Sequence, residues 1–236
     1  MKNTGHLSQR QRRTAFTLIE LLVVLAIIGV LAAMIIPIVG AVNARKQIST
    51  AQTQLKGIEL AIDGYKTKLG YYPPDNPNNP VTNQLYFELM GTTNNGAGAA
   101  KSPDTWGTMD GSAQIGTTTS PNISQVFGVS GFANTSTRAH SDDTGAAAGT
   151  FLNNLTPDQV GLIDPALPNI KILVCKVPWP LEKTPAVVQN NPSMNPFRYN
   201  SSHPTNNVGS YDLWVDLVIK GRTNRVCNWS TQPIKL

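Results

Sequence analysis

An uncharged apolar run constrains this chain more than any other feature. From Leu21 to Val42 there are 22 residues without a charge, "LLVVLAIIGVLAAMIIPIVGAV", and 14 of them are Leu, Ile or Val. As a helix, that length spans a hydrocarbon core of roughly 30 Å. At about −0.3 to −0.6 kcal/mol each, the aliphatic residues favour insertion by roughly 4–8 kcal/mol. Glu20 stands at the front edge, where a charge costs less than the about 2.5–3.5 kcal/mol quoted for the bilayer centre. Insertion is therefore expected despite Glu20. Pro37, inside the run, removes one backbone hydrogen bond and predicts a kink or loosening of the helix.

The charge distribution sets the orientation. The formal net charge is +5, and Lys2, Arg10, Arg12 and Arg13 of residues 1–15, unopposed by any acid, account for all but one unit of it. No basic patch is left in the body to neutralise phosphates, so nucleic-acid binding is not expected. The basic segment reads as a cytoplasmic flank, which places everything after Val42 across the membrane. Cys175 and Cys227 then lie in the exported part, where an oxidising compartment permits a disulfide. Closing that loop of about 53 residues contributes roughly 4 kcal/mol on the chain-entropy model. The alternative is two separate core thiols.

The helix is predicted to continue beyond the run. Ile48, Ala51, Leu55, Ile58, Ile62, Tyr65 and Leu69 recur at intervals of three and four, with charged and amide residues between them. This is an amphipathic seam, ended by Gly70 and then Pro73 and Pro74. Phe16 to Leu69 is 54 residues, a helix of about 80 Å. Residues of about 75–190 are rich in Asn, Thr, Gly and Ser and predict long surface loops, with Gln84–Met90 and Gln125–Phe132 as short islands of helix or strand. Strands are predicted over Asn169–Val177, from Phe197, over Tyr211–Ile219 and over Asn224–Ser230. In the third of these, Leu213, Val215 and Leu217 alternate with Asp212, Trp214 and Asp216. That pattern places the two aspartates on a solvent-facing side. The expected fold class is α+β: a long N-terminal helix packed on a small antiparallel sheet.

Catalytic constellations are scarce. His6, His140 and His203 have no second ligand at metal spacing, and Asp142–Asp143 lie in a polar loop. There is no G-x-S-x-G, P-loop or G-x-G-x-x-G motif. No enzymatic activity is expected.

The front of the chain carries the most specific signal. A basic leader, then Ala15, Phe16, Thr17, Leu18, Ile19, Glu20 and the apolar run, resembles the leader of type IV pilin-like proteins. The usual glycine of that family is replaced by Ala15. The resemblance implies cleavage between Ala15 and Phe16 by a prepilin peptidase and methylation of the new amino group. It also implies pairing of Glu20 with the N-terminal amine of a neighbouring subunit. "IDGYKTKLGYYPP" (Ile62–Pro74), "NPFRYNSS" and "GSYDLWV" resemble the major, G-type pseudopilins of type II secretion. That family holds calcium in a C-terminal loop. Here the corresponding segment, "VIKGRTNRVCNWS", carries no acid, so no metal ligands are transferred.

The resemblance thus implies a pilin-like chain with a leader (1–15), an assembly and transmembrane helix (16–42), its amphipathic continuation (43–69) and an exported domain (70–236). It would be a subunit of a pseudopilus in a type II secretion-like machinery, single-pass in the bacterial inner membrane with its C-terminal domain in the periplasm. Implied partners are copies of itself, other pilin-like subunits, the prepilin peptidase and the inner-membrane secretion platform. Two alternatives stay open. One is a type IV pilin or minor pilin for adhesion, motility or DNA uptake. The other is an exported carbohydrate-binding or hydrolytic β-domain, with an ordinary signal peptide cleaved near "AVNA" to leave a start near Arg45.

Overall fold

The computed structural model describes residues 17–94, 105–117, 121–136, 147–182 and 187–236, with only the backbone of residues 34–39. The chain divides into two compact units, Met1–Asn43 and Ala44–Leu236. Helix α1, Leu18–Leu69, begins in the first and ends in the second. Leader residues 1–15 lie outside the described residues, as do His6, His140, Asp142 and Asp143.

In the first unit α1 is helical through Pro37, so the proline does not end it. No helix among the described residues is long and apolar enough to cross a membrane. Described apolar side chains run from Leu18 to Ala33, short of the about 20 that a span requires.

In the second unit, the three-and-four spacing of α1 becomes a packed seam. Ala51, Leu55, Ile58, Ile62 and Tyr65 are buried in the core, with Ile48 and Leu69 packed against it. Gly70 closes the helix at φ +87°, and its N–H donates to the Lys66 carbonyl at 2.8 Å. A positive φ there favours glycine, which has no Cβ to clash.

The same core is shared by a four-stranded antiparallel sheet. Its strands are β7 (Arg198–Asn200), β8 (Asp212–Ile219), β9 (Arg222–Cys227) and β10 (Ser230–Lys235), in the order β10-β9-β8-β7. Leu213, Val215 and Leu217 of β8 are fully buried. Lys220 and Gly221 join β8 to β9 with φ of 50° and 76°, the conformation of a tight two-residue hairpin. β10 was not predicted. It contains Pro233 and changes register between Ser230 and Ile234, as an edge strand with a proline does.

The aspartates of β8 depart from expectation, because neither faces solvent. Asp216 is 8 % exposed and accepts from Arg225 Nε at 2.8 Å and Nη2 at 3.0 Å. Asp212 is 2 % exposed and accepts the backbone N–H groups of Thr205, Asn206 and Asn207. Burial alone would raise the Asp212 carboxyl, but these donors outweigh it and hold the carboxyl below its ordinary value. The alternation of β8 is thus apolar core on one side and satisfied polar groups on the other.

The segment of about 75–190 is also more structured than its composition predicts. It holds α2 (Leu85–Met90), inside the first expected island, and α3 (Ile123–Phe127), which starts two residues before the second and overlaps it only over Gln125–Phe127. A second sheet runs β3 (Gln114–Ile115), β2 (Trp106–Thr108), β1 (Thr92–Asn94), β4 (Thr135–Ser136), with β1 and β4 parallel. A pair of strands follows, β5 (Val160–Leu162) and β6 (Lys171–Leu173). Few residues supply the apolar content, but they cluster. Every residue of α2 is buried, and Phe87 stacks on Phe132 at 4.9 Å between ring centroids. The abundant asparagines bond buried backbone instead of water. Asn134 donates to the carbonyls of Glu88 and Gly149 and accepts the Gly149 N–H, and Asn83 reaches the Phe197 carbonyl. Those bonds offset the desolvation that a polar sequence would otherwise suffer on burial.

Cys175 and Cys227 are not bonded to each other; both are free, buried thiols. Cys175 follows β6 and donates its N–H to Asn195, whereas Cys227 ends β9 in the other sheet, opposite Trp214.

Gly161 of β5 marks a close approach. A Cβ there would fall on Met194 Sδ and lie 2.6 Å from Val174 Cγ1. Gly161→Ala is expected to destabilise the chain by about 1–3 kcal/mol through overpacking, read as a lower urea midpoint at unchanged m-value.

Candidate assembly site

The apolar half of α1 begins with a reciprocal cap. Thr17 immediately precedes the helix. Its Oγ1 accepts the Glu20 N–H at 3.3 Å, and Glu20 Oε2 accepts the Thr17 N–H at 2.8 Å and its hydroxyl at 2.7 Å. This is a capping box, which satisfies two orphan donors at a helix start and sets an acid against the positive end of the helix dipole. Glu20 Oε1 takes no hydrogen bond among the described residues. The carboxylate is therefore fixed in place by one oxygen and open at the other. Sequence reasoning found Glu20 but missed Thr17; the signal was present as T-x-x-E before an apolar run.

Behind the cap, every described side chain from Thr17 to Ala33 is exposed in the isolated chain. Leu18 is 81 % and Ile19 69 % exposed, and Leu21 through Leu25 lie near half. A helix apolar on all sides belongs in lipid or among other helices, because water leaves that whole surface hydrated. The predicted processing pair, Ala15 and Phe16, lies just before Thr17 and outside the described residues.

Metal and acid–base chemistry is scarce among the other described residues. Among the described residues no three His, Cys, Asp or Glu side chains group as metal ligands. The β8–β9 turn carries Lys220 and Arg222, both exposed, a donor set that does not fit a divalent cation. Asp212, nearby in sequence, is committed to its three backbone donors. His203 is exposed, and its backbone exchanges hydrogen bonds with the Asn200 side chain.

Residues 10–36 match the family model described as the prokaryotic N-terminal methylation motif. Over 65 residues, 28 % of this chain, the sequence is 38 % identical to the type II secretion system core protein G of Pseudomonas aeruginosa and covers 46 % of it. It is 42 % identical over 62 residues to the type IV major pilin protein PilE1 of Neisseria gonorrhoeae, covering 26 % of this chain and 29 % of the relative. Fimbrial protein EcpC of Eikenella corrodens is 42 % identical over 67 residues, 28 % of this chain and 44 % of the relative. The chain thus spans less than half the length of these relatives. No solved structure matches. A prepilin-type N-terminus on an α+β body is the class that motif and fold define. More narrowly, the N-terminal segment is that of type IV pilin-like proteins, G-type pseudopilins among them.

Proposed function

We propose that the chain is a structural subunit, without enzymatic activity of its own, of a membrane-anchored helical filament. The filament is a pseudopilus of a type II secretion-like export machinery. The subunit is made as a precursor whose run Leu21–Val42 spans the inner membrane, with the C-terminal domain in the periplasm. A prepilin peptidase cuts between Ala15 and Phe16 and methylates the new amine. Ala15 is small enough for a pocket that ordinarily takes glycine. Subunits then pass from lipid into a filament joined by their apolar helices, on the inner-membrane secretion platform. The observation that carries this reading is the capped Glu20 at the head of a helix exposed and apolar on all sides. Lipid and neighbouring helices both cover such a surface, so transfer between them costs little hydrophobic free energy. The polar contact at its head is left to choose the register.

A second reading, a type IV pilin, is favoured by the pilin and fimbrial relatives that align over the same segment. Deleting the gene separates the two: loss of protein export supports a pseudopilus, and loss of surface fibres with export intact supports a pilus.

Mass spectrometry of the mature N-terminus tests the processing common to both. N-methylated Phe16 is the expected first residue. A start near Arg45 would instead indicate an ordinary signal peptide and remove the assembly helix from the mature protein.

A further inference from the structure

A cleft of about 600 Å³ lies in the second unit between the outward side of α1 and the turn joining β9 to β10. Gln52, Lys56 and Glu59 line it from the helix, and Asn207, Trp229 and Thr231 from the sheet side. Several interactions fix its walls. Gln52 Nε2 donates to the Thr231 carbonyl at 3.2 Å, tying helix to turn. Asn228 donates to the Tyr211 carbonyl and accepts the Leu213 N–H, locking the turn to β8. Trp229 is braced by Trp214, with ring centroids 5.9 Å apart at 65°.

Five of the wall residues leave a polar atom unspent. Lys56 bonds Glu59 Oε2 at 2.8 Å, so Glu59 Oε1 is unpaired among the described residues. Gln52 and Asn207 use their amide nitrogens, on Thr231 and Tyr211, and leave their amide oxygens without donors. The Trp229 indole N–H and the Thr231 hydroxyl have no partner among the described residues. Trp106, Trp179 and Trp214 differ, since each has a buried, unpartnered indole N–H. Trp229 is half-buried and its N–H is not among those sealed from solvent.

These groups select a ligand class. The Lys56–Glu59 pair has no net charge, so the cleft does not favour a simple anion or cation. Free acceptors on Glu59, Gln52 and Asn207 and free donors on Trp229 and Thr231 line the same cleft as one aromatic ring, which suits groups that both give and take hydrogen bonds. Hydroxyls do so, and a ring carrying hydroxyls at its edge and C–H groups on its face can also lie against an indole. An apolar ligand would leave these polar groups unpaired, at a cost in affinity. We propose that this cleft is a binding site for neutral saccharides, with Trp229 as the platform and Glu59, Gln52 and Asn207 as acceptors for sugar hydroxyls. Within a filament of such subunits the site would repeat along the assembly, so that weak single contacts sum.

The test titrates the full mature chain, in a zwitterionic detergent with no sugar headgroup, with three probes. These are an N-acetylglucosamine trisaccharide, a glucose trisaccharide and an uncharged tripeptide. Saturable binding of at least one trisaccharide, Kd about 0.1–1 mM, with a change in tryptophan fluorescence, is expected. Trp229→Ala should weaken it at least tenfold and Glu59→Gln threefold or more, while Lys220→Ala leaves it unchanged. If Trp229→Ala lacks a cooperative thermal transition, Glu59→Gln and Gln52→Ala, which retain the indole, decide the matter. No saturable trisaccharide binding, binding indifferent to these variants, or equal binding of the tripeptide would overturn the proposal.

Discussion

Replacing Glu88 by alanine is expected to destabilise the second unit by about 3–4 kcal/mol, a large share of a typical domain's stability. Glu88 is on α2 and has no exposed surface. Its Oε1 accepts the Ala133 N–H at 2.8 Å, and its Oε2 accepts the Asn134 N–H at 2.9 Å and the Tyr65 hydroxyl at 3.0 Å. Alanine would orphan all three donors and open a void between α1 and the loop before β4. Each buried donor left unpaired costs about 1–3 kcal/mol. Loss of the expense of burying a carboxylate offsets only part of this. Tyr65→Phe, which removes one donor and keeps the packing, should cost nearer 1 kcal/mol. Urea unfolding of both variants provides the comparison.

The same residue gives the stability a pH dependence. Burial pushes the Glu88 carboxyl up, against the opposing pull of its three donors. The folded state therefore holds this proton more tightly than the unfolded chain, where glutamate titrates near 4.3. The associated stability is fully present below about pH 4.3 and is lost as pH rises through the raised folded value. Glu88→Gln should remove that component of the melting-temperature profile while costing stability at every pH, because one amide oxygen cannot serve all three donors.

The second large effect concerns filaments. Glu20→Gln is expected to abolish filament assembly while leaving insertion and processing intact. Glutamine serves a capping box as glutamate does, so the helix start survives and only the charge is lost. Thr17→Ala is the complement. It removes the hydroxyl half of the cap, about 1 kcal/mol, and keeps the carboxylate, so filaments should still form. On this proposal the free Oε1 of Glu20 meets the α-amino group of Phe16 on a neighbour. Two opposite charges that satisfy each other in a low-dielectric core remove a desolvation cost of several kcal/mol per ion. Sheared filament yield and membrane fractionation give the readout. Normal filaments from Glu20→Gln would sink the charge-pairing role, and loss of filaments from Thr17→Ala alone would shift the role to the cap.

The sequence foretold the periodic parts well. The seam Ala51–Tyr65 and the alternation of Leu213, Val215 and Leu217 follow from spacing, because one face of a helix or strand must be dry. Three features were hidden for different reasons. β10 carries Pro233, which argues against a strand unless the strand is known to be an edge. The buried roles of Asp216 and Glu88 depend on donors on another strand or distant in the chain, and that of Asp212 on a preceding loop folding back over it, none of which the alternation of β8 encodes. The islands of the insertion were legible, "LYFELM" among them, but its short strands were masked by averaging, because their polar residues, as in Thr92–Asn94, carry no apolar alternation. Glu20 was legible as an anomaly, and Thr17 explains how it is held.

The two cysteines have a practical consequence for watching such an assembly at work. Both thiols are buried, and burial pushes Cys175 up to about 11 and raises Cys227 as well. The thiolate is the nucleophile that adds to a thiol reagent, so the native chain is effectively silent toward a maleimide dye at neutral pH. Val208, 87 % exposed in the loop before β8, lies outside the core and the polar anchors of that loop. A cysteine introduced there would be the one reactive thiol of the folded domain. Fluorescent filaments could then be followed in living cells without first removing either native cysteine.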